Sequence, residues 1–258
     1  MRARKRFGQH FLEPAWVTKV IRAIDPVASD AFIEIGPGRG ALTRPLAAQA
    51  GHVTAVEIDR DLASDLRAAA LPNVTVVEGD FLETLPSVLP TDSTWRVAGN
   101  LPYNVASPIL FKLVDWFGQT GTLTDATLML QREVADRLVA VPGTRDYGVL
   151  TVLIGHSAAV ARVLTLPPGA FRPPPKVHSA LVRLRFHQPD PPVRDLTLFR
   201  ALVQAVFTRR RKTLANALLA FRDSGARESL ERAGIDGTRR PETLTIAEFA
   251  RLADAIGR

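Results

Sequence analysis

The chain contains no cysteine among its 258 residues, which excludes disulfide bonds, thiolate metal ligands and a cysteine nucleophile. It also lacks any uninterrupted apolar run near the roughly 20 residues that a membrane-spanning helix requires. The basic N-terminus is not followed by the apolar segment that a secretory signal needs. Together these absences predict a cytoplasmic protein that does not use a membrane as a partner.

Acidic residues are outnumbered, because 33 lysines and arginines face 26 aspartates and glutamates. The formal net charge of +7 and the sequence pI near 10.5 favour a polyanionic partner. RNA or DNA is preferred over an anionic membrane because no basic amphipathic helix ends the chain. Arginine outnumbers lysine, and codon bias accounts for this excess at least as well as selection for phosphate contacts.

Short apolar runs, turns and amphipathic stretches alternate from about residue 30 to about residue 155, the pattern of βα units on a parallel sheet. The segment 150–164 fits either a strand or a buried helix, and Ala180–Phe186 alternates like an antiparallel last strand. The predicted fold class is therefore α/β with a mixed, mostly parallel sheet. Strands are predicted at Ala31–Ile35, His52–Glu57, Val74–Glu78, Trp95–Gly99 and Ala126–Gln131. Helices are predicted at Ala41–Gln49, Asp61–Ala69, Pro108–Gly118 and Glu133–Val139.

A polar, proline-rich linker at Gln188–Val193 marks a change in composition. The residues before it predict one α/β domain, 1–187, and those after it predict a small all-α C-terminal domain, 188–258. No strand pattern interrupts the second segment. Its helices are predicted at Thr197–Phe207, Lys212–Arg222, Ala226–Ala233 and Ile246–Ile256.

The segment Glu34–Gly40, Glu-Ile-Gly-Pro-Gly-Arg-Gly, follows the first predicted strand and opens a helix. Its glycines, among them Gly36 and Gly38, let the backbone turn tightly and approach a ligand closely. A dinucleotide fold prefers Gly-x-Gly-x-x-Gly, which places a pyrophosphate at the helix N-terminus. Here the spacing is Gly-x-Gly-x-Gly with an acid two residues earlier. This arrangement favours S-adenosylmethionine, because an acid near the loop can hold its cationic amino-acid moiety.

Two further carboxylates stand at successive predicted strand ends. Glu57 closes the second strand, where it can bind both hydroxyls of a ribose, and Asp80 follows the third, where it can accept from the N6 amine of a cofactor adenine. Each acid alone is more often a loop carboxylate or a helix N-cap. Together they line the crevice where ligands of open α/β sheets bind. Asp59 has a different predicted role, which is to cap the next helix.

The segment Asn100-Leu101-Pro102-Tyr103 closes the fourth predicted strand. It places a carboxamide, a free carbonyl and an aromatic ring around one small planar group, and this set suits an exocyclic base amine. Acceptors on both N–H groups favour a pyramidal nitrogen, and a ring holds a flipped base by stacking. Pro102 has no N–H, which stiffens the turn. For these four residues alone, a strand ending in an Asn-Pro turn with a core tyrosine is the alternative interpretation.

With these motifs in order, the chain resembles the ribosomal RNA adenine N6-dimethyltransferases from Arg4 to Ile256, which is nearly its whole length. The resemblance implies a Rossmann-like S-adenosylmethionine-dependent methyltransferase domain. It also implies dimethylation of N6 on two adjacent adenines near the 3′ end of small-subunit (16S) rRNA during biogenesis of the small ribosomal subunit. The further motifs that support it are Phe7-Gly-Gln-His-Phe-Leu12, Met129-Leu-Gln-Arg-Glu-Val-Ala-Asp136, Phe171-Arg-Pro-Pro-Pro-Lys-Val-His-Ser179 and Phe207-Thr-Arg-Arg-Arg-Lys-Thr-Leu214.

The resemblance also implies roles for individual residues. His10 stands where many members carry asparagine, and we expect its contact to survive because both side chains can donate a hydrogen bond. Tyr103 is expected to stack on the target base, with Phe171 as a second aromatic wall. The groups expected to engage the target amine are Asn100 and the backbone of Leu101 and Pro102. The residues expected to contact S-adenosylmethionine are His10, Leu12, Gly36, Gly38, Glu57, Asp80 and Asn100.

Two basic segments are candidates for RNA contact. The first is an N-terminal arm that suits a backbone-binding flap or, alternatively, a solvated tail. The second lies between apolar stretches on sequence predicted as helical. Its four cations repel one another unless phosphates neutralise them, which favours RNA contact; a solvated face is the alternative. The first comprises Arg4, Lys5 and Arg6, and the second comprises Arg209, Arg210, Arg211 and Lys212.

Three other functions compete with this prediction. The related antibiotic-resistance methyltransferases of large-subunit (23S) rRNA share the cofactor site and the turn, but Arg209–Leu214 and Ile235–Leu244 look like the small-subunit branch. A non-catalytic ribosome assembly factor is disfavoured by the intact site. A nicotinamide dehydrogenase is disfavoured by the glycine spacing and by the lack of a hydride-site histidine or Tyr-x-x-x-Lys motif. No metal is expected, the small ribosomal subunit is the expected partner, and a monomer is the default.

Overall fold

The computed structural model of the chain describes residues 10–84, 93–221 and 225–257. It divides into two compact units. The first takes in the described residues up to Ala135 together with Val160–Phe186, and the second takes in Asp136–Ala159 and the described residues from His187 onward. The sequence assigned 136–159 to the first domain; the structure groups this segment with the C-terminal helices.

Strands and helices alternate through the first unit, as the apolar periodicity predicted. The strands are β1 Phe11–Leu12, β2 Ala31–Ile35, β3 His52–Glu57, β4 Val74–Glu78, β5 Trp95–Asn100, β6 Leu123–Gln131, β7 Ala158–Leu166, β8 Phe171–Arg172 and β9 Ser179–Phe186. The helices are α1 Pro14–Ile24, α2 Thr43–Ala47, α3 Arg60–Ala68, α4 Phe81–Thr84, α5 Ala106–Thr120 and α6 Arg132–Leu138, the last of which runs into the second unit.

Seven of the described strands form one sheet in the order β4-β3-β2-β5-β6-β9-β7. The strands from β4 to β6 in this order are parallel, and β9 is antiparallel to β6. Successive strands β2, β3 and β4 add in one direction, whereas β5 and β6 add in the other. The order therefore reverses between β2 and β5, the position at which open α/β sheets bind their ligands.

The predicted sheet is confirmed, including the antiparallel last strand. Three strands, β2, β3 and β4, have the predicted bounds. The ambiguous segment 150–164 contains both of the proposed structures, because α7 at Val149–Gly155 is followed directly by β7. Helix α1 was not predicted. It starts with Pro14 in its first turn and ends at Asp25, which has a left-handed backbone with φ 55°.

Arg96 in β5 is the centre of a charged cluster near the amino ends of the strands. Its guanidinium makes two hydrogen bonds to Asp125, at 3.0 and 2.9 Å, and one to Asp30 at 2.7 Å. It also donates to the carbonyl oxygens of Ile24 and Asp25, at 2.8 and 3.0 Å. The side chains of Arg96, Asp30 and Asp125 are each no more than 16% exposed. One arginine thus joins β2, β5 and β6 to the carboxyl end of α1.

The second unit is built on helices packed around aromatic side chains. The Tyr147 hydroxyl donates to the Leu244 carbonyl at 2.7 Å, and the Phe207 ring lies 6.1 Å from Tyr147 and 5.7 Å from Phe249, measured between centroids. These contacts explain why 136–159 belongs to this unit. Its helices are α7, α8 Leu196–Phe207, α9 Leu214–Leu219, α10 Ala226–Ala233 and α11 Ile246–Ile256.

The helical prediction for 212–222 is corrected at its start. Lys212 lies in a turn, and α9 begins only at Leu214, because Thr213 caps it by accepting a hydrogen bond from the Asn216 N–H at 3.4 Å. Arg222, at the predicted end, lies outside the described residues. Within the described part of the chain, no helix combines the length and the apolar character that crossing a membrane requires.

Replacing Arg96 by methionine should destabilise the first unit by about 3–5 kcal/mol, because two largely buried carboxylates lose their partner. Tryptophan fluorescence during urea unfolding measures this directly, since Trp16, Trp95 and Trp116, the only tryptophans in the sequence, all belong to that unit.

The matched control is Arg67→Met. Arg67 makes an ion pair with Glu78 at 3.3 Å, but both side chains are at least 40% exposed, so the loss should stay below about 1 kcal/mol. Equal losses in the two variants would contradict the role given to the Arg96 cluster.

Candidate active site

A cavity of about 240 Å³ opens at the carboxyl ends of β2, β3, β4 and β5 in the first unit. These strand ends meet at one edge because the four strands are parallel, and the cavity lies where the strand order reverses. The N-terminal residues His10–Leu12 form a further wall. The predicted site residues that line it are His10, Leu12, Gly36, Gly38, Glu57, Asp80, Asn100, Leu101, Pro102 and Tyr103.

The glycine loop after β2 takes a conformation that other residues rarely adopt. Gly36 and Gly38 have φ angles of +65° and +58°, in the left-handed region. A Cβ at Gly38 would lie 3.3 Å from the Phe11 ring, so a side chain there would also press on the N-terminal wall. The predicted tight turn is therefore present in the structure, and Gly36 and Gly38 line the cavity.

Glu57 joins the end of β3 to the glycine loop. Its Oε2 accepts from the Gly38 N–H at 2.9 Å, and its Oε1 accepts from the Asp59 N–H at 2.8 Å. Each carboxylate oxygen keeps a second lone pair, so the group can still accept from ligand hydroxyls. Burial raises the pKa of Glu57, whereas the two backbone donors lower it.

Glu34, the acid that precedes the glycine loop, is almost completely buried yet borders the cavity. The residue is 1% exposed, and its Oε2 has no hydrogen-bond partner among the described residues. Burial raises the pKa of Glu34 from 4.5 to about 7; the nearby Thr43 hydroxyl opposes this effect and the Glu57 charge reinforces it. A buried acceptor without a partner is costly unless a ligand donor satisfies it.

Asp59 has its predicted role. It caps α3, since its Oδ1 accepts from the backbone N–H groups of Asp61 at 3.0 Å and Leu62 at 3.4 Å. Asp80 lines the cavity, and its Oδ1 accepts from the Leu82 N–H at 2.9 Å at the start of α4. Its contact with a cofactor adenine stays a prediction.

Asn100, the last residue of β5, has a fixed side-chain orientation. Its Nδ2 donates to the His10 carbonyl at 2.8 Å, which assigns the nitrogen to that side and directs the carboxamide oxygen elsewhere. The Pro102 carbonyl accepts from the Val105 N–H at 3.1 Å, so the turn itself uses that group. A carbonyl oxygen has two lone pairs, so the Asn100 Oδ1 and the carbonyls of Leu101 and Pro102 all stay predicted acceptors for a ligand.

Tyr103 stands on the cavity wall with both ends of its ring held. Its hydroxyl is hydrogen-bonded to the Ser179 Oγ at 2.7 Å, and the His10 ring lies beside it with centroids 5.9 Å apart and planes 26° apart. His10 Nδ1 donates to the Pro173 carbonyl at 2.8 Å. Nδ1 is thus used within the protein, and Nε2 is the ring nitrogen that can still meet a ligand. The expected contact of His10 with a cofactor stays a prediction.

The expected role of Phe171 as a second aromatic wall is wrong for this structure. Phe171 is 1% exposed, packs in the hydrophobic core and does not line the cavity. Its strand β8 pairs with β1, which places Phe171 opposite Leu12. This pairing between distant segments turns the ring inward. The aromatic ring found beside Tyr103 is that of His10.

The basic turn 209–212 belongs to the second unit and connects α8 to α9. Arg209, Arg211 and Lys212 are exposed, whereas Arg210 is half-buried and donates to the Arg145 carbonyl at 2.8 Å. Its cations therefore lie on a turn and not on the predicted helix. The other basic candidates, Arg4, Lys5 and Arg6, lie outside the described residues.

Three contributors to the site were not predicted as such. Ser179 and Pro173 were quoted only as parts of a motif, and Thr43 was not singled out at all. Only the fold identifies these residues, because each reaches the site through an element distant in sequence or through a loop. Pattern alone cannot identify such contacts.

Comparison with known proteins indicates one family. Residues 1–257 match the sequence profile of the family described as ribosomal RNA adenine dimethylase. Two similar curated proteins are both named ribosomal RNA small subunit methyltransferase A. The one from Acinetobacter baylyi is 45% identical over 260 residues, covering 99% of this chain and 93% of that protein. The one from Nitrosococcus oceani is 45% identical over 257 residues, covering 97% and 95%.

Two solved structures resemble the whole fold. A dimethyladenosine transferase from Plasmodium falciparum has a TM-score of 0.78 and 26% identity, covering 94% of this chain and 96% of that one. The 23S rRNA methyltransferase ErmE has a TM-score of 0.70 and 30% identity, covering 96% and 100%. The curated small-subunit relatives are thus more similar in sequence than ErmE is.

The pKa of Glu34 predicts a specific pH dependence of stability. The folded protein keeps the proton between the ordinary pKa of 4.5 and about 7, so the cost of ionising Glu34 appears as the pH rises through that window. Relative to wild type, Glu34→Gln should therefore gain about 3 kcal/mol of unfolding free energy between about pH 4.5 and about pH 8. Urea unfolding followed by tryptophan fluorescence measures the difference.

Glu78→Gln is the matched control, because Glu78 also ends a strand of the sheet but is exposed. Its stability should follow wild type at every pH in the window. A constant difference between Glu34→Gln and wild type across the window would contradict the assignment.

Proposed function

The chain belongs to the ribosomal RNA adenine dimethylase family, and from that premise we propose that it dimethylates N6 of two adjacent adenines near the 3′ end of small-subunit rRNA. The methyl donor is S-adenosylmethionine, and the setting is assembly of the small ribosomal subunit in the cytoplasm. The observation that carries the proposal is the meeting of the Asn100–Tyr103 turn with Glu34, Glu57 and Asp80 in one cavity.

The residues fit S-adenosylmethionine by their donor and acceptor chemistry. The unpartnered, buried Glu34 Oε2 can accept from an ammonium group, which would also favour its ionised form. Glu57 offers two oxygens to ribose hydroxyls, and Asp80 offers an acceptor to an adenine amine. When bound, S-adenosylmethionine supplies an electrophilic methyl group on a sulfonium that leaves readily, so the reaction needs neither a metal nor a strong base.

The protein's own contribution is to orient the target amine. The Asn100 Oδ1 and the Leu101 carbonyl are two acceptors, one for each N–H of an exocyclic amine, and both are held by a stiff turn. Acceptors on both hydrogens favour a pyramidal nitrogen whose lone pair points toward the methyl group. Alignment of this kind is the largest single task, since holding two reactants in line removes much of the entropic barrier. The leaving proton can pass to solvent after transfer.

Binding must offset the free energy that is lost when the target adenine leaves the base stack. Flipping costs a few kcal/mol, and one aromatic ring returns about 1–3 kcal/mol, so Tyr103 can offset much of it. The exposed cations of the 209–212 turn would add phosphate contacts that do not depend on sequence. The N-terminal cations Arg4, Lys5 and Arg6 belong to the same proposal. We propose that the chain acts as a monomer on the assembling small subunit.

Asn100→Ala should abolish methyl transfer while leaving the fold intact, because it removes the oriented acceptor but only one described hydrogen bond, to His10. The assay uses labelled S-adenosylmethionine and undermethylated small ribosomal subunits, with large-subunit RNA alongside and nucleoside mass spectrometry of the product. Wild-type protein should give N6,N6-dimethyladenosine in the small-subunit sample alone.

The other outcomes of this assay separate the alternatives. Product in the large-subunit sample would assign the chain to the antibiotic-resistance branch. No product in either sample, with RNA still bound, would indicate an assembly factor. Wild-type turnover by Asn100→Ala would contradict the role of the carboxamide. Asn73→Ala controls for loss of a side-chain amide, since Asn73 donates to the Ala47 carbonyl at 2.8 Å and does not line the cavity.

Replacing Arg209, Arg210 and Arg211 by alanine should weaken rRNA binding and flatten its dependence on salt. Each phosphate contact that is lost reduces the slope of log affinity against log salt by about 0.7–0.9. Filter binding across a salt series measures the slope. Arg194 and Arg227 serve as the control pair, since they are ion-paired with Asp254 and Glu231 in the same unit. An unchanged slope would show that the turn does not contact RNA.

A further inference from the structure

Ser179 is a buried hydroxyl for which the proposed chemistry has no direct use. It is the first residue of β9, where its backbone pairs with Gln131 of β6, and it is 1% exposed. It does not line the cavity. Its Oγ lies 2.7 Å from the hydroxyl oxygen of Tyr103, a residue 76 positions earlier in the chain. The sheet thus holds the outer end of the Tyr103 ring.

The inner end of that ring is held by the turn that follows β5. Pro102 restricts the backbone immediately before Tyr103, and the Val105 N–H closes the turn on the Pro102 carbonyl at 3.1 Å. The ring is therefore fixed at two points, at its Cβ by the turn and at its hydroxyl by Ser179. Both points lie on the long axis of the ring, so they fix the direction of that axis and with it the χ1 angle. The His10 ring stacks against the plane of the Tyr103 ring.

The same segment of chain also holds the ring beside Tyr103. His10 Nδ1 donates to the Pro173 carbonyl at 2.8 Å, and Pro173 precedes Ser179 by six residues. The segment from Pro173 to Ser179 therefore sets the orientation of both rings at this wall. A ring ordered in advance loses less conformational entropy when a base stacks on it.

We propose that Ser179 is a positioning residue that holds the long axis of the Tyr103 ring in the direction required for the ring to stack on the target adenine. The proposal rests on the proposed function, because it names the element that prepares the stacking surface of that same site. Ser179 acts only through Tyr103 and touches neither the base nor the methyl donor. The alternative is that the bond to Tyr103 only satisfies the hydrogen-bonding capacity of the buried Ser179 hydroxyl. In that case the loss of the hydroxyl affects stability and nothing else.

The first readout concerns the ring and does not depend on catalysis. The chain has two tyrosines, Tyr103 and Tyr147, so protein labelled with ¹³C in its tyrosine rings gives two sets of signals. In Ser179→Ala the signals of Tyr103 should shift, because its hydroxyl loses its partner and the direction of the ring axis is no longer fixed. The signals of Tyr147, whose hydroxyl donates to the Leu244 carbonyl, should not change and serve as an internal reference.

The second readout is methyl transfer to small ribosomal subunits. Ser179→Ala and Tyr103→Phe break the same hydrogen bond from its two ends, so each should raise the KM for RNA about three- to tenfold. The kcat should stay within about twofold, because stacking holds the base in both the bound complex and the transition state. The double variant should be no worse than either single variant, and the affinity for S-adenosylmethionine should be unchanged.

Ser229→Ala is the matched control for loss of a buried hydroxyl. Ser229 is also 1% exposed and donates to the Gly225 carbonyl at 2.7 Å, but it lies in the second unit. It should show a comparable loss of stability with wild-type KM and wild-type signals from Tyr103.

Three results would overturn the proposal: unchanged Tyr103 signals in Ser179→Ala, wild-type KM despite a shifted ring, or fully additive effects in the double variant. Failure of the proposed function is recognised separately. If wild-type protein transfers no methyl group to small subunits while Tyr103 still responds to Ser179→Ala, the hydrogen bond is real but its role in stacking is refuted together with that function.

Discussion

Parallel pairing of β2 with β3 and with β5 is the constraint on which the rest of the structure depends. Because parallel strands share a direction, their carboxyl ends meet at one edge, and the chain must cross over the sheet between them. One cavity is surrounded by groups that lie up to 66 positions apart in the chain, from Glu34 to Asn100. These groups are the glycine loop, Glu57, Asp80 and the Asn100 turn. The site is thus a consequence of strand order, to which each strand end contributes one chemical group.

The charged groups that line the cavity at this edge are opposite in sign to the net charge of the chain. The protein carries a formal net charge of +7, but the cavity collects carboxyl groups. Two backbone N–H groups donate to Glu57 there, whereas one oxygen of Glu34 has no partner among the described residues. Burial raises the pKa of both carboxyl groups. A cationic ligand meets a pocket that attracts it, while the exposed cations of the basic turn are available to a polyanion. Under the proposed function, the methyl donor would meet carboxyl groups and the RNA would meet cations.

Features that depend on residues close together in the sequence could be predicted, and features that depend on distant residues could not. The strands were predictable because their apolar runs are local, and so was Asp59, whose cap spans three residues. The site acids were predictable because they sit at strand ends. Phe171 was placed incorrectly because its environment depends on pairing with Leu12, far away in the chain. The grouping of 136–159 failed for the same reason, since Tyr147 finds its partner 97 residues later.

The N-terminal wall of the cavity is held far more lightly than its floor. The floor is a seven-stranded sheet, whereas the wall depends on the two-residue pairing of β1 with β8 and on the bonds that His10 makes with Asn100 and Pro173. Segments with few hydrogen bonds open locally at a small fraction of the global unfolding free energy. Amide exchange at Phe11 and Leu12 should therefore be much faster than at β2 or β5. Local opening of this wall would expose the cavity while the sheet stays intact.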